Sequence, residues 1–341
     1  MQENIATRDN TLDILRGGTM LYIVTIIHGL TSYGYLQVNS RIISVLLFEM
    51  PLMFFISGAS MTIAPFKPMK SFIVSRIKRV VVPYFVWGII AFVILLLKHS
   101  DVTHIKDIIL ANNISVLPYC NQLWFIKPYL IVSVLGYILL IAIYTAKNSP
   151  RCIWVTIGRG KVLIFTMLLV IEVLISFTDN FLSFVIGYLF FFIMGFLYRK
   201  WTHIDFFICI FSLVPLLLLH KFGIYSFVMQ ENKFPPNVMF VLYGTIMVAV
   251  VVELSKTKLI EFLTKVPIIQ RWNKYGYEIY LYQNFAFWIT WHFMNIVSEI
   301  YVLPSIVHYS LSVVTIVILL SIVSPLVHRI NNIIISKIYV K

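Results

Sequence analysis

Residues 79–97 read RVVVPYFVWGIIAFVILLL, a run in which Arg79 is the only charged residue. The run is close to the ~20 apolar residues that an α-helix needs to cross the hydrocarbon core of a bilayer. Comparable apolar runs recur along the chain from Met20 to Ile335. We therefore predict an all-α protein, a polytopic transmembrane helical bundle.

The composition favours the same class. Of the 341 residues, 60% are hydrophobic and 12% are charged, and the mean hydropathy is +0.90. An average soluble domain has roughly twice that share of charged residues, so most of the surface is expected to face lipid. No internal repeat, low-complexity tract or linker interrupts the apolar runs. We predict one integral membrane domain over residues 1–341.

The basic residues indicate how the spans are oriented. If the N-terminus is inside, 21 of the 27 Lys and Arg residues fall in inner segments and six fall in outer ones. Basic residues concentrate in cytoplasmic loops, so we predict that both termini are cytoplasmic and that there are about ten spans. The predicted spans are residues 13–34, 42–64, 79–97, 123–145, 162–178, 181–198, 204–221, 237–254, 277–297 and 307–328.

Several kinds of partner and cofactor are not indicated by the sequence. The net charge of +13 is spread over short loops rather than along one face, so no nucleic-acid partner is expected. Cys120, Cys152 and Cys209 are widely spaced and form no CxxC pair, which argues against a metal site. Walker-type, GxGxxG, HExxH and GxSxG motifs are absent from the sequence. We expect no metal cofactor.

The first span contains three ionisable residues, Asp13, Arg16 and His28. Asp13 and Arg16 are three residues apart and can form an ion pair on one helix face. Ionisable residues inside an apolar helix are candidates for a functional site. The structural alternatives are an ion pair at the inner interface for Asp13 and Arg16, and a packed histidine near the outer interface for His28.

In the second span, Glu49 is an acid in the outer third, and a buried carboxylate needs a partner. We expect Glu49 either to pair with Arg41 or to hydrogen-bond a sugar. The small residues Ser57 and Gly58 in the same span are interpreted as a helix-packing site, because small residues let two backbones approach closely.

A basic cluster precedes the third span and consists of Arg76, Lys78 and Arg79. Two arginines on one helical turn form a fork that can bind phosphates, since guanidinium geometry favours bidentate bonds. The alternative is a cytoplasmic anchor that follows the positive-inside rule.

Aromatic and polar residues near the predicted outer surface are candidates for sugar binding. Trp124 is either a belt residue at the interface or a platform on which a sugar ring stacks, and Lys127 either extends outward or binds substrate. The outer loops at residues 98–122 and 222–236 are long enough to cover a cleft, and mobile loops are the alternative.

In the ninth span, a polar stripe is expected to face the bundle interior or a cavity, because lipid would leave it unsatisfied. The stripe consists of Glu278, Gln283 and Asn284.

These segments together resemble the acyltransferase 3 family of membrane O-acyltransferases over nearly the whole chain. The likeness is carried by their order and spacing rather than by any one of them. The matching segments are LDILRG (12–17) with the downstream His28, MPLMFFISG (50–58), RIKR (76–79), VPY (82–84), LWF (123–125) and IYLY (279–282).

The resemblance implies an enzyme of a bacterial inner membrane that uses acyl-CoA, expected to be acetyl-CoA, as its donor. The acceptor would be a sugar hydroxyl of a surface glycan, free or lipid-linked. It further implies that Arg16 and His28 act in catalysis and that Arg76 and Arg79 lie on the CoA side. On this interpretation Asp13 holds Arg16, and Lys78 adds to the CoA site. The candidates for the acceptor side are Trp124, Glu49 and Lys127.

The chain departs from the family pattern at two positions. The family usually has ten residues between the basic residue and the histidine, whereas eleven separate Arg16 from His28. On an ideal helix, this change moves the two side chains from about 20° to about 120° apart around the axis. We expect a π-bulge to restore their facing, with Gly17-Gly18 as the place for it. Where the family often has a second histidine, this chain has Gln283.

Two other functions are compatible with the residues. A multi-pass transporter or flippase of a lipid-linked sugar or small solute would also need polar residues inside the membrane. No repeat or pair of broken helices supports it. A structural or assembly component is the third hypothesis, and in it the histidine and the arginine fork would be incidental.

Overall fold

The computed structural model describes residues 9–33, 36, 38–97, 120–147, 170, 173, 181–198, 206–207 and 210–339. Within these ranges every named element is helical and there is no named strand, which confirms the all-α prediction. Among the described residues, five helical segments are long and apolar enough to cross a membrane: Asn10–Thr31, Ser40–Ile63, Met69–Ile94, Leu123–Ala142 and Ser305–Ile338. Phe181–Gly195 and Val238–Leu254 are shorter apolar helices. The total of about ten spans and the side of the termini stay predictions.

We number the helices in chain order. Helix α1 spans Asn10–Tyr22 and continues through a π-helical turn, Ile23–His28, into α2, Gly29–Tyr33. A second π-helical turn, Ile77–Val81, joins α5 to α6, and a 3-10 turn, Cys120–Phe125, precedes α7. The other helices are α3 (Ser40–Leu46), α4 (Glu49–Ile63), α5 (Met69–Arg76), α6 (Val82–Leu97), α7 (Ile126–Lys147), α8 (Phe181–Gly195), α9 (Leu213–Lys221), α10 (Met229–Asn232), α11 (Val238–Leu254), α12 (Lys258–Leu263), α13 (Pro267–Lys274), α14 (Gly276–Ile300) and α15 (Ser305–Tyr339).

Most helices begin close to their predicted starts. The earlier start of α1, at Asn10 instead of residue 13, is explained by Asp9, whose Oδ1 accepts a hydrogen bond from the Leu12 amide at 3.1 Å. Such a cap satisfies one of the amides that a helix start leaves without a partner. The predicted span 162–178 lies outside the described residues except for positions 170 and 173. Helix α15 continues beyond residue 328 to Tyr339.

The chain divides into two compact units. Unit 1 contains Met1–Leu15, Asn39–Phe66 and Pro128–Lys265, and unit 2 contains Arg16–Val38, Lys67–Lys127 and Val266–Lys341. The expectation of a single domain over the whole chain stays a prediction.

In unit 1, helix α4 packs along α8. A Cβ atom added at Gly58 would lie 1.9 Å from the carbonyl oxygen of Phe192, so only glycine allows this approach. The Ser57 hydroxyl donates to the Met53 carbonyl of its own helix at 2.8 Å. The interpretation of this pair as a helix-packing site is therefore confirmed for Gly58.

In unit 2, helix α14 packs against several other elements. It contacts α15, α6, α13 and the 3-10 turn Cys120–Phe125. The π turn Ile23–His28 of the first span also packs against α15. Residues of the candidate site reach α14 from several of these elements.

Candidate functional site

His28 is the last residue of the first π turn, and its side chain points at α14. Its Nδ1 atom lies 2.8 Å from Oε1 of Gln283, and the two residues are buried, with 9% and 1% of their surfaces exposed. The Nε2 atom of Gln283 donates to the Tyr280 carbonyl of the same helix at 3.0 Å. The imidazole is therefore held inside unit 2 by a hydrogen bond rather than turned toward the surface.

The expected π-bulge exists, but at Ile23–His28 and not at Gly17-Gly18. A π turn accommodates an extra residue, so side chains after it return toward the face they would have on a shorter helix. The Tyr309 hydroxyl donates to the Thr25 carbonyl at 2.8 Å, which ties this turn to α15. A backbone carbonyl bound by a side chain from another helix is a usual accompaniment of such irregular turns.

Gly17 has a different role from the one we expected. A Cβ atom added there would lie 2.1 Å from the Ile269 carbonyl oxygen, so the glycine lets α1 approach α13 closely. At this contact Nη1 of the half-buried Arg16 donates to Oδ1 of Asn273 at 3.3 Å. Arg16 and His28 thus reach two successive helices, α13 and α14. The π turn permits both contacts in spite of the eleven-residue gap.

The polar stripe of α14 faces the interior of unit 2, one of the two expected surroundings. Beside Gln283, the amide of Asn284 accepts a hydrogen bond from Nε1 of Trp87 at 3.3 Å, and Trp87 is fully buried. Glu278 lies 2.7 Å from Nδ1 of His328 on α15. Each member of the stripe therefore has a side-chain partner on a different element, as buried polar groups require.

Trp124 lies on the 3-10 turn that packs against the same part of α14. Its ring makes an edge contact with Phe125 at 6.2 Å, and Phe125 makes a similar contact with Tyr280 at 5.8 Å. Trp124 is half-buried, and Lys127, one turn further, is exposed. Trp124 is thus linked through Phe125 to the residue whose carbonyl holds Gln283.

The basic cluster lies at the second π turn. The guanidinium of Arg76 stands over the Phe72 ring, 4.9 Å from its centre, and Arg79 is exposed. Lys78 is half-buried. The Tyr277 hydroxyl of α14 donates to the Val80 carbonyl at 2.9 Å and so fixes the turn that carries Arg79. Tyr277 and Gln283 are six residues apart, about 9 Å along α14.

Glu49 lies in unit 1, where its partner is Lys233 and not Arg41. Its Oε1 atom is bonded to Nζ of Lys233, and both side chains are buried. Arg41 is exposed, and its backbone amide donates to Asn39. The expected pairing with Arg41 is therefore wrong: a cation from the 222–236 loop reaches the carboxylate instead, because burial of Glu49 demands a buried partner.

The 222–236 loop is anchored to α3 and α4 at two points. One is the Lys233–Glu49 pair, and the other is the Met229 amide, which donates to the Ser44 hydroxyl at 2.9 Å. Asn232 donates to the Ser226 carbonyl at 2.8 Å within the loop. The loop therefore folds back on α3 and α4. The other loop, 98–122, lies mostly outside the described residues.

Sequence reasoning missed several of the partners. Lys233 is one of the few basic residues on the predicted outer side, and that exception to the charge rule was a usable signal. His328 is an ionisable residue within an apolar run, which was a second signal. Nothing local marks Asn273 or Trp87. Asp13 is half-buried, and its pairing with Arg16 stays a prediction.

Within the described part of the chain, no group of three or more His, Cys, Asp or Glu side chains is suited to hold a metal ion. The expectation that the protein needs no metal stays a prediction.

A comparison with protein families matches residues 9–324 to a family model described as an acyltransferase domain. The match covers nearly the whole chain. No curated protein and no solved structure gives a significant match.

Proposed function

The chain belongs to the acyltransferase 3 family, and from this premise we propose that it moves an acetyl group from acetyl-CoA to a sugar hydroxyl of a bacterial surface glycan. Family membership supports acyl transfer in general. The apolar helices support a membrane location, which we propose to be the bacterial inner membrane. The identity of the donor, acyl-CoA, and of the acceptor, a glycan, goes beyond family membership and is part of our proposal.

His28 is the general base in this proposal. It takes the proton of the sugar hydroxyl as the oxygen attacks the thioester carbonyl; the bond from carbonyl carbon to sugar oxygen forms and the carbon–sulfur bond breaks. The proton then passes from His28 to the CoA thiolate, so the products are an acetyl ester and free CoA. A positioned base contributes about 10²–10⁴-fold to such a rate, and histidine suits the role because its ordinary pKa is near neutrality.

One observation carries the proposal: an imidazole buried in the membrane bundle is held in a fixed orientation by Gln283 at 2.8 Å. A buried imidazole needs a hydrogen-bond partner in any role, and this partner also fixes the direction in which the ring nitrogens point. Fixed orientation is what a general base requires, because it must meet a proton in a defined direction.

The donor is proposed to bind at the basic cluster. Arg76 and Arg79, with Lys78, bind the phosphates of CoA from the cytoplasmic side. The turn that carries Arg79 is bonded to α14 at Tyr277, about 9 Å along the helix from Gln283. The turn that carries Arg79 and the imidazole of His28 therefore contact the same helix, which supports a donor that binds at the cluster and reaches His28 with its thioester end. Arg16, held by Asp13, orients the thioester and stabilises the charge on its oxygen.

The acceptor is proposed to approach from the outer side, where Trp124 offers an aromatic face for a sugar ring and Lys127 an exposed cation. Glu49 is the third candidate. Because Glu49 is buried against Lys233, its use by a sugar requires the Lys233 loop to move. Trp124 is the best supported of the three acceptor-side candidates. Its ring contacts Phe125, and Phe125 contacts Tyr280, whose carbonyl binds Gln283.

The test uses the purified protein in lipid nanodiscs with acetyl-CoA and a surface-glycan acceptor. We expect acceptor-dependent release of free CoA thiol and an acceptor heavier by one acetyl group. His28→Ala should lower the rate by about 10²–10⁴-fold, while an exposed control, Lys265→Ala, should not. Transport of a lipid-linked sugar into liposomes without thiol release would overturn the proposal. A normal rate in the His28→Ala variant would show that His28 is not the general base.

A further inference from the structure

We propose that Gln283 is a positioning residue that fixes the tautomer of His28, so that all proton transfer passes through Nε2. The inference rests on the proposed function, since it concerns how that base works.

The orientation of the Gln283 amide follows from its two partners. The Tyr280 carbonyl can only accept a hydrogen bond, so the atom facing it at 3.0 Å must be the NH2 group of the amide. The oxygen of the amide therefore faces His28. The reverse orientation would bring the Gln283 oxygen against the Tyr280 carbonyl, which is two acceptors in contact.

The tautomer of His28 follows from that orientation. The amide oxygen has no proton to give, so the short contact at 2.8 Å requires Nδ1 of His28 to be the donor. In a neutral imidazole with the proton on Nδ1, the basic lone pair lies on Nε2. Gln283 and Tyr280 are 1% and 3% exposed, so bulk water does not compete for these bonds.

An amide partner restricts the chemistry more than a carboxylate does, because it cannot take a proton. After Nε2 receives the hydroxyl proton, Nδ1 keeps its own, and the only proton that can leave is the one on Nε2. It goes to the CoA thiolate as the carbon–sulfur bond breaks. Acylation of Nε2 would form an acylimidazolium cation with the same charge and the same Nδ1–H donor to Gln283 as the imidazolium of direct transfer. The geometry therefore assigns Nε2 as the reacting nitrogen, and a chemical trapping experiment is needed to distinguish the two routes.

The test compares two substitutions of Gln283 in protein that is shown to be folded by its thermal unfolding in nanodiscs. Gln283→Met keeps the length of the side chain but removes both hydrogen bonds, and we expect kcat to fall by about 10- to 100-fold, a part of what a positioned base contributes. Gln283→Glu keeps an oxygen that can accept from Nδ1 and should stay within about tenfold of the unaltered protein. The KM for acetyl-CoA should change little in either variant.

A double substitution separates positioning from a general packing role. If Gln283 acts through His28, Gln283→Met should cause no further loss of rate in a His28→Ala background, because residues that act as a unit are not additive. The matched control is Asn284→Leu, which removes the neighbouring buried amide that bonds Trp87, and its effect on kcat should be small.

Three results would decide against parts of this account. Equal losses from Gln283→Met with and without His28 would show a packing role and overturn the positioning role alone. Rapid-quench trapping of acetyl on His28 in the unaltered protein would overturn direct transfer. Absence of any thiol release from the unaltered protein would overturn the proposed function, and the inference with it.

Discussion

His28 and Gln283 lie 255 residues apart in the chain, and their side chains meet at 2.8 Å inside unit 2. The contact depends on the π turn at Ile23–His28, which places the imidazole toward α14 while Arg16 reaches Asn273 on α13. One irregular turn thus lies between two ionisable residues that a regular helix would hold about 120° apart around its axis.

Removing the extra residue of this turn should be tolerated. Deletion of Ile26 leaves ten residues between Arg16 and His28, and we expect the π turn to become an α turn with the His28–Gln283 bond kept. The rate of acyl transfer should stay within about tenfold of the unaltered protein. The rate is measured as thiol release from acetyl-CoA.

Insertion of one alanine after Ile26 is the matched control. The turn already holds its extra residue, so the insertion should rotate His28 away and lower the rate by about 10²–10⁴-fold. Loss of activity in the deletion, with activity kept in the insertion, would contradict the alignment role of the π turn.

Adjacent glycines in α1 should respond in opposite ways to alanine. Gly17→Ala puts a Cβ atom against the Ile269 carbonyl oxygen, and overpacking of this kind destabilises by about 1–3 kcal/mol. Gly18→Ala meets nothing within 4 Å and should stabilise the helix by about 0.5–1 kcal/mol. Thermal unfolding of both variants in the same detergent measures the difference. Equal shifts would mean that α1 does not approach α13 closely.

The buried pair of Glu49 and Lys233 should show strong coupling in stability. Lys233→Met leaves an unpaired buried carboxylate and should destabilise by about 3–5 kcal/mol, whereas the double variant Glu49→Leu/Lys233→Met should recover most of that loss. Lys256→Met, which breaks an exposed pair with Glu253, should change stability by about 1 kcal/mol or less. Additive losses from the two single substitutions would contradict a buried pair.

The same double variant tests the acceptor role of Glu49. If a sugar hydroxyl bonds to Glu49, the double variant should recover stability and still show a raised KM for the glycan acceptor, with the KM for acetyl-CoA unchanged. Normal acceptor kinetics in a stable double variant would assign Glu49 to the structure alone.

Replacement of the arginine fork should weaken donor binding. Arg76→Gln and Arg79→Gln each remove a charge-assisted hydrogen bond worth about 1.5–3 kcal/mol, so each should raise the KM for acetyl-CoA roughly 10- to 100-fold. The kcat should be nearly unchanged, because phosphates far from the reacting carbonyl bind equally in ground and transition states. Lys70→Gln, an exposed residue of the same segment, is the control. An unchanged KM for acetyl-CoA in both arginine variants would indicate that the basic cluster is only a cytoplasmic anchor.

Features that depend on local sequence were predicted well. The apolar runs gave the all-helical class, and the bounds of the segment Ser40–Ile63 and of α11 and α14 lie within a few residues of the predicted spans. The mismatch of the Arg16–His28 spacing with a regular helix called for a π-bulge, and one is present. The predicted position of the bulge was wrong. The bulge forms where the Tyr309 hydroxyl binds the Thr25 carbonyl, and Tyr309 belongs to a helix far along the chain.

The partners of the polar side chains were predicted less well. Glu49 was expected either to pair with Arg41, which is close in sequence, or to hydrogen-bond a sugar, but its partner is Lys233 from a loop far along the chain. Gly17 was interpreted as a point of distortion, and it is a point of close approach to α13. In both cases the sequence singles out a residue that is unusual in a membrane span. The segment that it contacts comes from elsewhere in the chain and is known only from the structure.

The amino-acid sequence alone determined that this protein is a helical membrane protein of the acyltransferase 3 family. Hydrophobic length is a property of each segment, and the bilayer acts on each segment separately. The order and spacing of the motifs can be read directly along the chain. Only the tertiary structure decided which buried groups pair: Gln283 with His28, Asn273 with Arg16 and Lys233 with Glu49. A buried polar group must find a partner wherever packing places one, and packing joins helices that the sequence holds far apart.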